Sequence, residues 1–187
     1  MTNKTPEPSK NSTSGLCETP LRCGVVGVGR MGRHHARVYA QLKNAELVGV
    51  VDNDAERSNE LVQEWGGEAF SSIDEMIEAG VEAVTIATPT IYHFDAAAPL
   101  LERGIACLIE KPLAPTAEVA AAIADAASDS GAVLQVGHVV RYDPVMRAIA
   151  SIENLRPRFI EMTRISPMTF RSTDVGVVLD MMIHDLD

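Results

Sequence analysis

No run of apolar residues in this 187-residue chain approaches the roughly 20 that a membrane-crossing helix needs. The segment Met1 to Pro20, rich in Thr, Ser, Pro, Asn and Lys, also lacks the apolar core of a secretory signal. Basic residues are in short supply. With 16 Lys and Arg against 26 Asp and Glu, the formal charge is -10, which argues against wrapping a polyanion and removes nucleic acid from the expected partners. Cysteine is scarce too: Cys17, Cys23 and Cys107 form an odd set without a C-x-x-C spacing, so neither a disulfide framework nor a structural zinc site is expected. Cys23 and Cys107 fall inside apolar runs, where a thiol behaves as a small hydrophobe. These absences predict a cytoplasmic protein with reduced thiols and no membrane partner, and a hydrophobic content of 46% is enough for a proper core.

The most informative stretch present is Leu21 to Gly32, an apolar run leading directly into Gly27-x-Gly29-x-x-Gly32 and then a helical pattern. Gly27 permits a tight turn, Gly29 lets backbone approach a pyrophosphate, and Gly32 lets the helix pack close to the strand. Arg30 and Met31 fall inside the same turn, and the helix start offers N–H groups to an anion. A second apolar run, Ala45 to Val51, ends in Asp52, 20 residues beyond Gly32, where a carboxylate can accept ribose hydroxyls. Acidity at that point predicts NAD in preference to NADP, with Arg57 one helical turn later as the contrary signal.

Around these motifs the pattern alternates between short β-branched runs and longer amphipathic ones. Residues 1–20 read as a disordered tail. From there we expect strands at 21–28, 45–51, around Ala69, 83–87, 106–109 and 133–136, with intervening helices, the whole forming a doubly wound parallel α/β sheet of Rossmann type over residues 21–137. Residues 138–187 read differently: a helix over 143–152, a strand over 158–165 and a helix from Val175 to Asp187. They are too few to enclose a core, and read as the incomplete start of an α+β substrate domain.

Four further elements leave strand ends, where ligands of such sheets bind. Thr88, Pro89 and Thr90 form one loop, with His93 behind it; the threonines can donate to a phosphate or ribose, or cap the next helix. Glu110-Lys111-Pro112 follows the fifth strand, making Lys111 a candidate cation for a reacting hydroxyl, against the plainer reading of a solvated Glu-Lys pair. Arg141, beside Tyr142, can reach a substrate carboxylate or phosphate, or brace the junction between the two parts. Asp180 and His184 lie four apart, on one face of a helix, where an imidazole can take a proton beside an orienting carboxylate; with no third ligand placed by spacing, no metal is expected. His34 and His35 read as first-turn residues of the first helix, with a supporting contact near the phosphates.

Taken in order, G-x-G-x-x-G, Asp52, Ala-Thr-Pro-Thr, Glu-Lys-Pro-Leu, Gly-His-Val-Val-Arg-Tyr and Asp-Met-Met-Ile-His-Asp-Leu-Asp resemble the Gfo/Idh/MocA oxidoreductases from Leu21 to Asp187. That resemblance implies an NAD-dependent sugar dehydrogenase, with Lys111 as the site lysine and Asp180 and His184 at the sugar. It further implies cofactor contacts from Gly27, Gly29, Arg30, Met31, Gly32, Asp52, Thr88, Pro89, His93, Glu110 and Lys111, substrate contacts from Arg141 and Tyr142, and a homo-oligomeric full-length form. Asp174 to Leu179, leading into Asp180, looks like members that oxidise the 3-hydroxyl of UDP-N-acetylglucosamine. A different class of reading is a nicotinamide-binding module without catalysis. The two differ in whether Lys111, Asp180 and His184 converge on one pocket.

Overall fold

The computed structural model describes residues 19–163, 165 and 176–187. The expected tail, up to residue 18, Asp174 of the motif that leads into Asp180, and Val175 at the start of the expected last helix lie outside them.

Six short strands pair in parallel: β1 (Leu21–Val26), β2 (Ala45–Val51), β3 (Glu68–Phe70), β4 (Ala83–Ile86), β5 (Ala106–Ile109) and β6 (Leu134–Val136), in the order β3-β2-β1-β4-β5-β6. Between them run α1 (Arg30–Gln41), α2 (Ala55–Trp65), α3 (Ile73–Glu78), α4 (His93–Leu101) and α5 (Ala117–Ser130). The helix starts are written in the sequence. Asp54, Ser72 and Thr116 each accept a backbone N–H three residues on, satisfying donors that a helix leaves unpaired. Gly131 closes α5 in the left-handed conformation, φ 71°.

Parallel strands are covered on both faces, and the side-chain alternation shows it. Val25 of β1 joins Val28, Ala36, Leu47, Val50 and Leu61 beneath α1 and α2. Its neighbour Val26 joins Ile86, Leu100, Ile109 and Ile123 in the larger cluster beneath α3, α4 and α5. The expected strands at 21–28 and 83–87 are each shorter. Gly27, with φ 84°, turns the chain off the ladder just after β1, which is what opens the space above the sheet.

Beyond β6, Asp143 caps α6 (Pro144–Ala150) by accepting the Val145 N–H at 2.8 Å. The strand expected over 158–165 is absent from its described residues, 158–163 and 165. Alternation alone cannot make a strand: its N–H and C=O groups need a neighbour, and here Phe159 and Ile160 face solvent instead. The last described stretch is wound as a π-helical turn, Val178–Met182, leading into α7 (Ile183–Leu186).

Candidate active site

Strand order reverses between β1 and β4, and ligands of open parallel sheets bind at that crevice. Here the carboxyl ends of the strands surround a cleft of about 1230 Å³. Gly27 and Gly32 make the turn possible. A Cβ on Gly27 would lie 2.7 Å from the Thr88 nitrogen, and one on Gly32 would run into the Gly27 carbonyl oxygen, so Gly32 serves packing as expected. Gly29 is the opposite case: it lines the cleft, and a Cβ there would meet nothing within 4 Å. No side chain caps α1, which leaves its first N–H groups and positive dipole end to an anion. Arg30 and Met31 line the cleft beside this turn.

Asp52 also lines the cleft, and the structure gives it a second task that its position in sequence did not reveal. Its Oδ2 accepts the Val28 N–H at 2.7 Å, and its Oδ1 accepts the Asp54 N–H at 2.9 Å. The carboxylate thus staples the glycine turn to the end of β2. Arg57 stands 3.5 Å from Asp52 and 3.2 Å from Asp54, so two carboxylates already hold its charge.

At the end of β4, Thr88 and Pro89 line the cleft, and the buried Thr88 hydroxyl has no hydrogen-bond partner among the described residues. His93 does not reach the cleft. It is 1% exposed, with Nδ1 3.1 Å from the Leu113 carbonyl and Nε2 3.0 Å from that of Thr88. Both ring nitrogens are taken up in tying two loops together, which corrects its expected place among the cofactor contacts.

Lys111, Asp180 and His184 do come together on the cleft. The Lys111 ammonium donates to the Asp180 carbonyl at 2.7 Å and to its carboxylate at 3.0 Å. Glu110 is not the solvated partner of Lys111 that the sequence suggests. Its Oε1 lies 2.8 Å from His35 Nε2, and its Oε2 accepts the Lys111 backbone N–H at 3.3 Å. Burial alone would raise the Glu110 carboxyl, but the hydrogen bond and charge of His35, then the N–H and charge of Lys111, hold it below its usual value. His35 sits in the second turn of α1, and reaches the end of β5 rather than the phosphate turn. Its spacing of three residues from Gly32, hence the sheet-facing side of α1, is the signal that could have found it.

Arg141 and Tyr142 lie outside the cleft lining. The Arg141 guanidinium grips the Asp187 carboxylate with both arms, Nε donating to Oδ2 at 2.7 Å, while His138 Nδ1 stands 3.5 Å from the same oxygen. The Tyr142 hydroxyl accepts from Gln135 at 3.0 Å. The structure thus places these hydrogen bonds of both side chains on protein partners outside the cleft lining, rather than on the cleft where substrate contacts were expected. Among the described residues no cluster of three His, Cys, Asp or Glu is arranged to hold a metal, and no helix is long and apolar enough to cross a membrane.

Comparison with known proteins agrees with this geometry. Residues 21–138 match the Gfo/Idh/MocA family, described as an oxidoreductase family with an NAD-binding Rossmann fold. The chain is 41% identical over 167 residues to UDP-N-acetylglucosamine 3-dehydrogenase of Acidithiobacillus ferrooxidans, covering 89% of this chain and 52% of that one. It is 32% identical over 181 residues to scyllo-inositol 2-dehydrogenase (NAD(+)) of Bacillus subtilis, covering 91% and 53%. The solved structure of the Acidithiobacillus ferrooxidans enzyme superposes with a TM-score of 0.82 over 89% of this chain and 52% of that one. GenD2 from gentamicin A biosynthesis, solved in complex with NAD, superposes with a TM-score of 0.67 at 34% identity, covering 71% and 39%. The chain thus spans about half the length of the curated relatives it matches. Glycine turn, strand order and family match converge: the chain belongs to the Gfo/Idh/MocA family of oxidoreductases.

Proposed function

We propose that this chain forms the cofactor-binding and proton-handling part of an NAD-dependent dehydrogenase that oxidises a ring hydroxyl of a nucleotide sugar. The observation that carries this reading is the Lys111 ammonium, 3.0 Å from the Asp180 carboxylate in the cleft that His184 and the glycine turn also line. The uncapped start of α1, the open face of Gly29 and the unpartnered Thr88 hydroxyl fit a dinucleotide at the switch point. When bound, the nicotinamide supplies the acceptor for the hydrogen and electron pair of the substrate C–H bond. His184 takes the hydroxyl proton, so that one O–H and one C–H bond break as the C=O forms. Lys111 donates a hydrogen bond to the reacting oxygen and stabilises its developing negative charge. Asp180 fixes the direction of the lysine. Asp52 disfavours a 2'-phosphate, and Arg57 is already neutralised by Asp52 and Asp54, which supports NAD over NADP. The 41% identity to a UDP-N-acetylglucosamine 3-dehydrogenase supports a nucleotide sugar as substrate.

The test is a fluorescence titration with NADH and NADPH, followed by NADH formation from NAD and UDP-N-acetylglucosamine. Saturable binding that prefers NADH is expected. Lys111→Ala and His184→Ala should each lower turnover by roughly 10²- to 10⁴-fold, the contribution of a positioned proton-transfer group, while NADH affinity stays near that of the unaltered protein. Retained turnover in both variants removes the assigned roles, and NADH binding without turnover in the unaltered protein favours a binding module.

A further inference from the structure

The roles above leave without a task the imidazole that stands behind Glu110, a residue of the cleft lining. His35 is 22% exposed and holds Glu110, 75 residues away in sequence, at 2.8 Å. Glu110 is only 13% exposed, so its carboxylate needs partners to remain there. The register of β5 on β6 pairs Ile109 with Val136 and so sets Gly137 beside Glu110. A Cβ on Gly137 would come within 3.1 Å of Oε2, so the carboxylate has a wall on that side. Its one oxygen is then fixed by the imidazole on α1, and its other accepts the N–H at the root of the Lys111 side chain.

We propose that His35 is a positioning residue: by fixing Glu110 it sets the peptide from which Lys111 projects, and so ties the lysine's approach to Asp180 to the placement of α1. The connection has three hydrogen bonds and one side chain: His35 to Glu110 at 2.8 Å, Glu110 to the Lys111 backbone N–H at 3.3 Å, and, at the far end of the lysine side chain, Nζ to Asp180 at 3.0 Å. Because α1 also begins at the glycine turn, a rigid helix carries the phosphate-facing N-terminus and the support of the lysine together. His35 Nε2 donates to the carboxylate whether the ring is neutral or charged, and hydrogen bonds to charged groups are among the stronger ones. The catalytic consequence rests on the functional reading above; the link between His35 and Glu110 does not.

Two measurements separate these parts. In the first, the Glu110 carboxyl is titrated by NMR in the unaltered chain, in His35→Leu and in His35→Gln, which keeps an N–H donor of similar reach. The charged neighbours of Glu110 are His35 and Lys111, so loss of the first leaves burial less opposed, and the titration of Glu110 should move upward in His35→Leu and return toward its original position in His35→Gln. An unmoved titration in His35→Leu overturns the proposal. In the second, turnover of UDP-N-acetylglucosamine should fall in His35→Leu by roughly 10- to 100-fold in kcat, as for a sub-ångström misplacement of a reacting group, with KM for NAD nearly unchanged and rescue by His35→Gln. Equal losses of kcat, NADH affinity and thermal stability, without rescue by His35→Gln, would assign His35 to the scaffold alone and overturn positioning. An unaltered protein that turns over no nucleotide sugar counts against the functional reading, and the Glu110 titration still decides the link.

Discussion

Residues 21–137 and 139–187 both contribute to one cleft, yet they hold their shape by different means. Among the described residues every buried hydrophobic side chain lies between Cys23 and Ala127, and all but Cys23 fall in two clusters on either face of the sheet. From residue 139 onward no described residue is buried, and Phe159, Ile160, Val177 and Leu186 are 64% to 80% exposed. The first region is organised by what it removes from water. The second is held by polar contacts to the first, chiefly Lys111 with Asp180, and by the Arg141 grip on Asp187. The glycine turn therefore stands on a packed core, while Asp180, proposed above to fix the direction of the lysine, is held by its hydrogen bonds to Lys111.

The largest expected difference is in stability. Ile109→Ala or Leu100→Ala, at side chains that are 0% exposed, should cost about 2 to 5 kcal/mol through lost burial and the cavity left behind. Ile160→Ala, at a side chain 66% exposed, should stay within about 0.5 kcal/mol. Urea unfolding curves compare them directly. A cost at Ile160 equal to that at Ile109 would break the contrast between the regions.

A smaller and more selective effect is expected from Lys111→Met. It removes the ammonium from Asp180 while retaining the aliphatic stem, and the loss falls on the second region. Amide exchange over residues 178–186 should quicken by roughly 5- to 30-fold, the equilibrium equivalent of 1 to 2 kcal/mol. Exchange in α4 and α5 should not change. Quickened exchange throughout the sheet would mean that the cleft contacts also support the core, and the regions would no longer be separable.

The same contrast explains what was legible in the sequence. Each βαβ unit writes itself locally, in β-branched runs, in caps such as Asp54 and Thr116, and in glycines such as Gly131, so the six strands and their order of appearance could be read one after another. The glycine turn was equally legible, because Gly27 and Gly32 answer to close backbone contacts that only glycine permits. What could not be read was where polar groups pair across distance. His93 looks like a ligand-side residue until two loop carbonyls take both its nitrogens, and Glu110 looks like the partner of Lys111 until α1 brings His35 to it. The expected strand over 158–165 failed for the same reason. Its alternation is local, but a strand is defined by a partner, and nothing in the described residues pairs with 158–163.

The finest expected effect uses pH to loosen the second region alone. The Arg141 hydrogen bonds hold the Asp187 carboxyl below its ordinary value of 3.8; burial opposes this, while the charges of His138, Arg141 and His184 add to the lowering. A carboxyl whose value is lowered by folding gives its full contribution above the unfolded value and loses it as pH falls through the folded one. The grip of Arg141 should therefore be intact at neutral pH and weaken only below about pH 3.8. Amide exchange of α7, corrected for its intrinsic pH dependence and taken relative to α5, should rise over that interval. Arg141→Leu should remove most of the pH dependence by leaving α7 loosened at every pH. If the ratio stays flat in the unaltered protein, the guanidinium and carboxylate are not what holds α7 in place. More of the hold on the second region would then fall to Lys111 and Asp180, and the exchange change in Lys111→Met should come out at the upper end of its range.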